Sequence, residues 1–138
     1  MNIKPLLLPM LIALTLLTAC QETMYNLNPQ ETISGEVYYR ERILLPEGAV
    51  IKTSLENVST MTQPPQVIAQ SAQKLSGTPP YLFHLQFPTK HLNSQNTYSL
   101  RVMIEVDDKL LFSATEHIDP FALEFTTLKL LLQASPSK

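Results

Sequence analysis

Apolar side chains occupy most alternate positions through four stretches of this chain, and a period of two is typical of half-buried β-strands. The alternation runs through residues 33–39, 51–55, 81–87 and 98–106. A weaker strand follows from Val67 towards Gln73. Turn sequences rich in Pro, Gly and Asp separate these stretches. The pattern therefore predicts a sheet protein in which one face of each strand packs into a core.

The last third of the chain adds a hairpin and one ambiguous segment. Residues 97–116 are predicted to form a β-hairpin, because Asp107, Asp108 and Lys109 interrupt two apolar stretches. In residues 121–134 the apolar positions fit both a strand and a helical stripe, and the β-rich surroundings favour a final core strand. About six to eight short strands predict an all-β fold, either an antiparallel β-sandwich or a partly open barrel.

The only cysteine, Cys20, follows an apolar leader that contains one basic residue, Lys4. The apolar run from Leu6 to Leu17 is shorter than the ~20 residues that span a bilayer, so residues 1–19 are predicted to be a cleaved secretory signal. Leu17-Thr18-Ala19-Cys20 resembles the bacterial lipobox, with cleavage between Ala19 and Cys20. That resemblance implies diacylglycerol on the Cys20 sulfur and an acyl chain on its amine, and hence a lipid anchor.

The segment after the cysteine predicts how the domain is attached. Residues 20–32 are mostly polar and are expected to form a flexible lipidated tether, followed by one sandwich domain of residues 33–138. In Gram-negative lipoproteins an Asp directly after the lipidated cysteine retains the protein at the inner membrane, whereas this chain has Gln21. By that resemblance the protein is anchored in the lipid bilayer of the outer membrane and faces the periplasm.

Little in the sequence points to catalysis or to a bound cofactor. The formal net charge is −2 and the basic residues are dispersed, which does not fit a nucleic-acid binder. His84, His91 and His117 lack the spacing of metal ligands, so no metal site is predicted. No serine stands in a nucleophile elbow, and three glycines are too few for a phosphate-binding loop. We therefore expect no enzymatic activity, and no cofactor besides the acyl chains on Cys20.

The densest group of aromatic and charged residues runs from Tyr38 to Arg42. Tyrosine and arginine are frequent at the energetic centres of protein interfaces, so Tyr38, Tyr39, Arg40 and Arg42 are candidate partner-binding residues. The same stretch also fits a strand end whose charged side chains are solvated or pair across the sheet. The sequence leaves both interpretations open.

Four segments carry a more specific signature than the alternation itself: GEVYYRERILLPEGAVIKTSLENVS (35–59), QVIAQ (66–70), PYLFHLQF (80–87) and YSLRVMIEVDDKLLFSAT (98–115). They resemble the YbaY-type bacterial lipoproteins, a family that includes the YscW-type pilotins of type III secretion. The most specific pieces are G-x-V-x-Y-R-E-R followed by L-P-x-x-A, and L-R-x-x-I ahead of LLF. The resemblance implies a lipid-anchored β-sandwich that binds the C-terminal part of a secretin subunit and carries it to the outer membrane.

The leading hypothesis is therefore a non-enzymatic, outer-membrane-anchored periplasmic lipoprotein that binds another envelope protein, with secretin piloting as its most concrete form. The alternative is a structural or stress-related envelope lipoprotein, or a sandwich that binds a small ligand between its sheets. Recovery of a secretin subunit together with the protein separates these hypotheses.

Overall fold

The computed structural model describes residues 28–122 and 127–136. Apart from one 3₁₀ turn, every regular element in these ranges is a strand, which confirms the all-β prediction. The elements are β1 (Gln30–Tyr38), β2 (Val50–Asn57), β3 (Gln66–Lys74), β4 (Tyr81–Pro88), the 3₁₀ turn (Thr89–His91), β5 (Tyr98–Val106), β6 (Lys109–Ser113), β7 (Leu128–Leu131) and β8 (Gln133–Ala134). In the ambiguous last segment, Leu128–Leu131 and Gln133–Ala134 form strands, and none of the described residues is helical.

The strands form two sheets, a smaller one in the order β4-β1-β7 and a larger one in the order β3-β2-β5-β6-β8. The sheets are not joined into a closed barrel, so the architecture is a β-sandwich. Every strand pair is antiparallel except β1 with β7, which is parallel. This exception arises because β7 comes from β6 in the opposite sheet through a long connection, and such a crossover allows a parallel pair.

The core lies between the sheets and is built from the apolar positions of the period-two pattern. In β4, for example, Tyr81, Phe83, Leu85 and Phe87 are buried while His84 faces solvent. Because successive side chains of a strand point to opposite faces, the sequence pattern alone identifies the inward face. The largest fully buried side chains are Phe83, Phe87, Phe112, Ile51, Leu55, Leu85, Leu100, Ile104, Leu132, Val37 and Val102.

Strand β1 begins at Gln30 and not at Ile33, where the domain was expected to start. The backbone of residues 30–32 pairs with the last residues of β4, although the three side chains are exposed. Residues whose side chains are all exposed show no apolar alternation in the sequence, so residues 30–32 were not predicted to be part of the strand. Just before β1, the Pro29 carbonyl accepts hydrogen bonds from the backbone N–H and the Oγ1 hydroxyl of Thr89, at 3.0 and 2.9 Å.

The hairpin between β5 and β6 and the strand switch at the C-terminal side complete the fold. Asp107 and Asp108 both have positive φ, 49° and 60°, as a two-residue type I′ turn requires, and the predicted hairpin is confirmed. Leu132 lies between β7 in the smaller sheet and β8 in the larger one, and its N–H donates to the Tyr38 carbonyl at 2.8 Å. The last strands therefore connect the two sheets along one side of the sandwich.

The two ends of the sandwich carry different parts of the chain. The chain reaches β1 at one end, called here the tether end, where the connections 58–65 and 89–97 also lie. The opposite end, called the distal end, carries the β1–β2 loop (39–49), the β3–β4 connection (75–80) and the β5–β6 turn. Nine residues of extended β1 separate the ends, which corresponds to about 30 Å.

Candidate functional site

The four predicted partner-binding residues lie where β1 passes into the β1–β2 loop, but they do not share one face. Tyr38 is 41% exposed, and Arg40 and Arg42 are also exposed. Tyr39 is buried in the core and cannot present its ring to a partner. The alternation of β1 is the reason, since it continues past the strand and places Tyr39 on the same face as Val37. Partner binding by Tyr38, Arg40 and Arg42 stays a prediction.

Cys20 and the cleavage position between Ala19 and Cys20 lie outside the described residues, so lipid attachment also stays a prediction. Within residues 28–122 and 127–136, no helix is long and apolar enough to cross a membrane.

The buried Tyr39 fastens the β1–β2 loop to the sandwich. Its ring stacks on Phe112 with ring centroids 4.4 Å apart, and it tilts against Tyr81 at 6.4 Å. Its hydroxyl donates a hydrogen bond to the Ile43 carbonyl at 3.0 Å. Burial raises the pKa of Tyr39 to about 12, and the neighbouring hydroxyl of Tyr81 and carboxylate of Glu41 act in the same direction. Tyr39, predicted to bind a partner, instead positions the loop that follows it.

Two large apolar residues are exposed on the same loop, and sequence analysis did not identify them. Ile43 is 53% and Leu44 74% exposed, whereas the next residue, Leu45, packs partly against the core. The run Ile43-Leu44-Leu45 resembles core sequence, because a local pattern does not reveal which of three consecutive apolar residues turns inward. The only signal was the position of this run directly before the turn Pro46-Glu47-Gly48, where chains leave the sheet.

The outer face of the smaller sheet carries further apolar surface near the distal end. Tyr38 lies beside Leu131 in the parallel pair β1/β7, and Leu82 on β4, 56% exposed, lies beside Glu36. Between these side chains Glu36 accepts a salt bridge from Lys129, with a separation of 3.0 Å. Exposed tyrosine and leucine around a neutral ion pair fit the edge of a protein contact better than they fit a site for a charged ligand.

The outer face of the larger sheet carries a shallow groove of about 540 Å³ that contains an unusually buried carboxylate. Glu56 is only 7% exposed and accepts hydrogen bonds from Arg101 Nε at 3.0 Å, Arg101 Nη2 at 3.1 Å and Ser54 Oγ at 2.8 Å. Burial disfavours the charged form, but these hydrogen bonds outweigh it and hold the pKa of Glu56 below its ordinary value. Beside this pair, Lys52 forms a salt bridge with Glu105.

Each cation that lines the groove is already paired with a carboxylate of this chain, so the groove does not present a free charge to a ligand. Its Glu56–Arg101 pair joins β2 to β5 across the sheet. We therefore assign these residues a structural role.

One serine–histidine contact occurs on the outer face of the smaller sheet. Ser34 Oγ and His84 Nδ1 are 3.0 Å apart and exposed. Within the described part of the chain no carboxylate bonds to this imidazole, and the pair lies on the open face of two paired strands. In the same part of the chain, no three His, Cys, Asp or Glu side chains are grouped closely enough to hold a metal ion.

Comparisons with known proteins agree with this architecture. The model of the family described as type III secretion system lipoprotein chaperone (YscW) matches residues 28–126. The uncharacterized lipoprotein YbaY of Escherichia coli (strain K12) is 31% identical over 104 residues, which is 75% of this chain and 54% of that protein. The chain therefore spans about half the length of this relative.

A solved structure, that of an alternative pilotin from the type II secretion system of Vibrio cholerae, has a TM-score of 0.69 and 33% sequence identity. The match covers 78% of this chain and 99% of the pilotin chain. The matched family region, residues 28–126, contains the strands β1 to β6 and the β1–β2 loop. The chain belongs to the YscW family of type III secretion system lipoprotein chaperones.

Proposed function

We propose that this protein is a pilotin, a lipoprotein anchored in the outer membrane that binds a secretin subunit in the periplasm and brings it to that membrane. The observation that carries the proposal is the likeness to the Vibrio cholerae pilotin, which extends over 99% of that pilotin chain at 33% identity. The likeness covers nearly the whole pilotin chain and is not confined to one part of the fold. It therefore supports a related use of the fold.

Membrane attachment through Cys20 is the first half of the proposed mechanism. A single acyl chain binds a bilayer only reversibly, whereas two or three chains on one residue give stable anchoring. The chain from Cys20 joins the sandwich at the tether end, where Pro29 is hydrogen-bonded to Thr89. The proposed anchor is thus attached at the tether end of the domain, and the distal end is available to a client.

Client binding at the distal end is the second half. Tyr38, Arg40 and Arg42 are exposed there, and their residue types are those that contribute most to protein interfaces. This function requires no chemical step, since a pilotin needs only to bind its client and to be anchored in the correct membrane. We therefore propose no catalytic activity for the Ser34–His84 pair.

Capture of the membrane-attached protein tests this function. The full chain with a C-terminal tag is expressed together with the secretin of the same bacterium, and the secretin subunit is measured in the captured fraction and in the outer membrane. We expect the wild type to recover secretin and to raise its amount in the outer membrane. The Cys20→Ser variant should still bind secretin but should no longer deliver it.

A structural envelope lipoprotein that binds no secretin is the second candidate, and the similarity to the lipoprotein YbaY favours it. If no secretin is recovered although the secretin is expressed and the tagged protein is folded in the membrane, piloting is wrong and this second candidate stands. Unchanged membrane attachment of the Cys20→Ser variant would contradict the proposed lipid anchor.

A further inference from the structure

The β1–β2 loop exposes two neighbouring aliphatic side chains, Ile43 and Leu44, to solvent at the distal end. Leu44 is the more exposed of the two, with 74% of its surface accessible. Single exposed apolar residues are common on protein surfaces, but two large aliphatic ones next to each other on one loop place more apolar area in water than a scattered residue does. This surface is not explained by the packing of the sandwich, because neither residue belongs to the core.

The loop presents these side chains in a defined position. On one side of them, the hydroxyl of buried Tyr39 binds the Ile43 carbonyl, and on the other side Leu45 packs partly into the core. A turn follows, in which the Ala49 N–H donates to the Pro46 carbonyl at 3.3 Å. Because the loop is held on both sides, it loses less conformational entropy when a partner binds than a freely moving loop would lose.

The charges of the loop favour a protein partner over a lipid surface. Arg40 and Arg42 are exposed, and within the described part of the chain neither forms a salt bridge. The loop also contains Glu41 and Glu47, so it carries as many carboxylates as guanidinium groups. Binding to anionic lipid usually relies on a cluster of about four to eight basic residues without such compensation. Two arginines beside exposed aliphatic side chains are instead suited to bind carboxylates that a protein partner holds at fixed positions.

The position of the loop leads to the same conclusion. The chain joins the sandwich at the tether end, and β1 carries it about 30 Å away before the loop begins. The segment from Cys20 to Pro29 is at most about 30 Å long when fully extended. With a lipid anchor at Cys20, the loop therefore lies about 30 Å farther along the domain than the point where the tether joins it, which leaves the loop accessible to a client in the periplasm.

We infer that Arg40, Arg42, Ile43 and Leu44 bind an amphipathic segment of the client, one that carries large apolar side chains on one face and carboxylates beside them. The inference rests on the proposed pilotin function and names the surface and the client chemistry that would perform it. Ile43 and Leu44 fill the apolar face of the segment, and the two guanidinium groups pair with its carboxylates. Tyr39 acts only as a positioning residue, since its side chain stays in the core.

The test uses the full lipidated chain in cells that express the secretin. A photoreactive phenylalanine analogue replaces Leu44 in one variant and Val67 in a control variant, because Val67 is 50% exposed on β3 near the tether end. In parallel, secretin recovery is compared between the wild type, Ile43→Ser/Leu44→Ser, Arg40→Gln/Arg42→Gln and Val67→Ser. We expect crosslinking to the secretin subunit from position 44 and none from position 67.

Secretin recovery should fall at least tenfold in Ile43→Ser/Leu44→Ser and severalfold in Arg40→Gln/Arg42→Gln, and Val67→Ser should match the wild type. Unchanged unfolding midpoints identify these losses as losses of contact. If the wild type and both loop variants recover secretin equally, the surface is misassigned although piloting stands. Crosslinking of position 44 to lipid, or to a second copy of this chain, also overturns the inference. If even the wild type recovers no secretin, the proposed function fails, and the inference that rests on it fails as well.

Discussion

The ring of Phe83 lies directly against the backbone of Gly35, its register partner in the neighbouring strand. A Cβ atom at residue 35 would be 2.5 Å from two carbons of this ring and 2.9 Å from the Leu128 carbonyl oxygen. Carbon atoms do not approach each other so closely, so the contact between β1, β4 and β7 requires glycine. The glycine that opens the G-x-V-x-Y signature of this sequence is therefore a packing residue and not a binding residue.

Replacement of this glycine tests the packing. We expect Gly35→Ala to lower the free energy of unfolding by about 1–3 kcal/mol, because the added methyl group must displace Phe83 or β7. Denaturation in urea measures this change. Ser34→Ala, at the adjacent outward-facing position, is the matched control and should stay within about 0.5 kcal/mol of the wild type. Equal stability of Gly35→Ala and the wild type would contradict the required close approach.

The Glu56–Arg101 pair leads to a second prediction. Arg101→Ala leaves a buried carboxylate without its two charged hydrogen-bond donors, which should cost about 1–3 kcal/mol of unfolding free energy. Lys52→Ala is the control, since it removes a pair whose carboxylate is more exposed than Glu56, 17% against 9% by side chain, and it should cost less than about 1 kcal/mol. Similar losses in the two variants would show that the burial of Glu56 has no energetic consequence.

The Glu56 carboxylate should also make the free energy of unfolding depend on pH in the acidic range. The pKa of Glu56 is lower in the folded protein than its ordinary value, so its contribution is complete above the ordinary carboxyl pKa, at about pH 5 and higher. It is lost as the pH falls through the lower, folded-state pKa. We expect the unfolding free energy of Glu56→Gln to decrease less than that of the wild type between about pH 5 and pH 3. Parallel pH profiles would argue against the assigned pKa direction.

Tyr39 should make the stability of the fold depend on pH in the alkaline range, with stability decreasing as the pH rises. Its pKa is raised to about 12, so the unfolded chain, with a tyrosine pKa of about 10, ionises first. The stabilisation is therefore present below about pH 10 and decreases as the pH rises towards 12. In an ultraviolet titration of phenolate, Tyr39→Phe should remove an ionisation step near pH 12. This variant also loses the hydrogen bond to Ile43 and should be less stable by about 1 kcal/mol at neutral pH.

Two leucines of the same size should respond very differently to truncation. Leu132 is 1% exposed where the chain passes between the sheets, and Leu132→Ala should cost about 2–5 kcal/mol. Leu44 is 74% exposed, and Leu44→Ala should change the unfolding free energy by less than about 0.5 kcal/mol. Chemical denaturation of both variants measures the contrast. A large loss of stability in Leu44→Ala would mean that this side chain supports the fold.

The strands were predictable because alternation is a local property. Side chains two residues apart in β4 or β5 must point to the same face, so Phe83 and Leu100 could be assigned to the core without knowledge of the partner strands. The hairpin turn at Asp107 and Asp108 was predictable for the same reason, since its geometry depends on adjacent residues. The family resemblance rests largely on these local features, and it was confirmed by the match of residues 28–126.

The candidate site was predicted only in outline, because exposure depends on residues far away in the sequence. Tyr38 and Arg40 are exposed as expected, but Tyr39 is covered by Phe112, which no spacing within residues 38–42 could indicate. Ile43 and Leu44 were overlooked for the complementary reason. They have the composition of a core segment, and only the packing of the completed sandwich leaves them outside it.

The sequence by itself determined the all-β class, the inward faces of β1, β2, β4 and β5, and the family, because each of these depends on residue type and on short spacings. Only the tertiary structure decided that β7 runs parallel to β1, that Arg101 binds Glu56 from another strand, and that Ile43 and Leu44 are exposed at the end opposite the tether. These features depend on contacts between segments that are far apart in the sequence. Such contacts are determined by the packing of the whole chain and not by any single stretch of it.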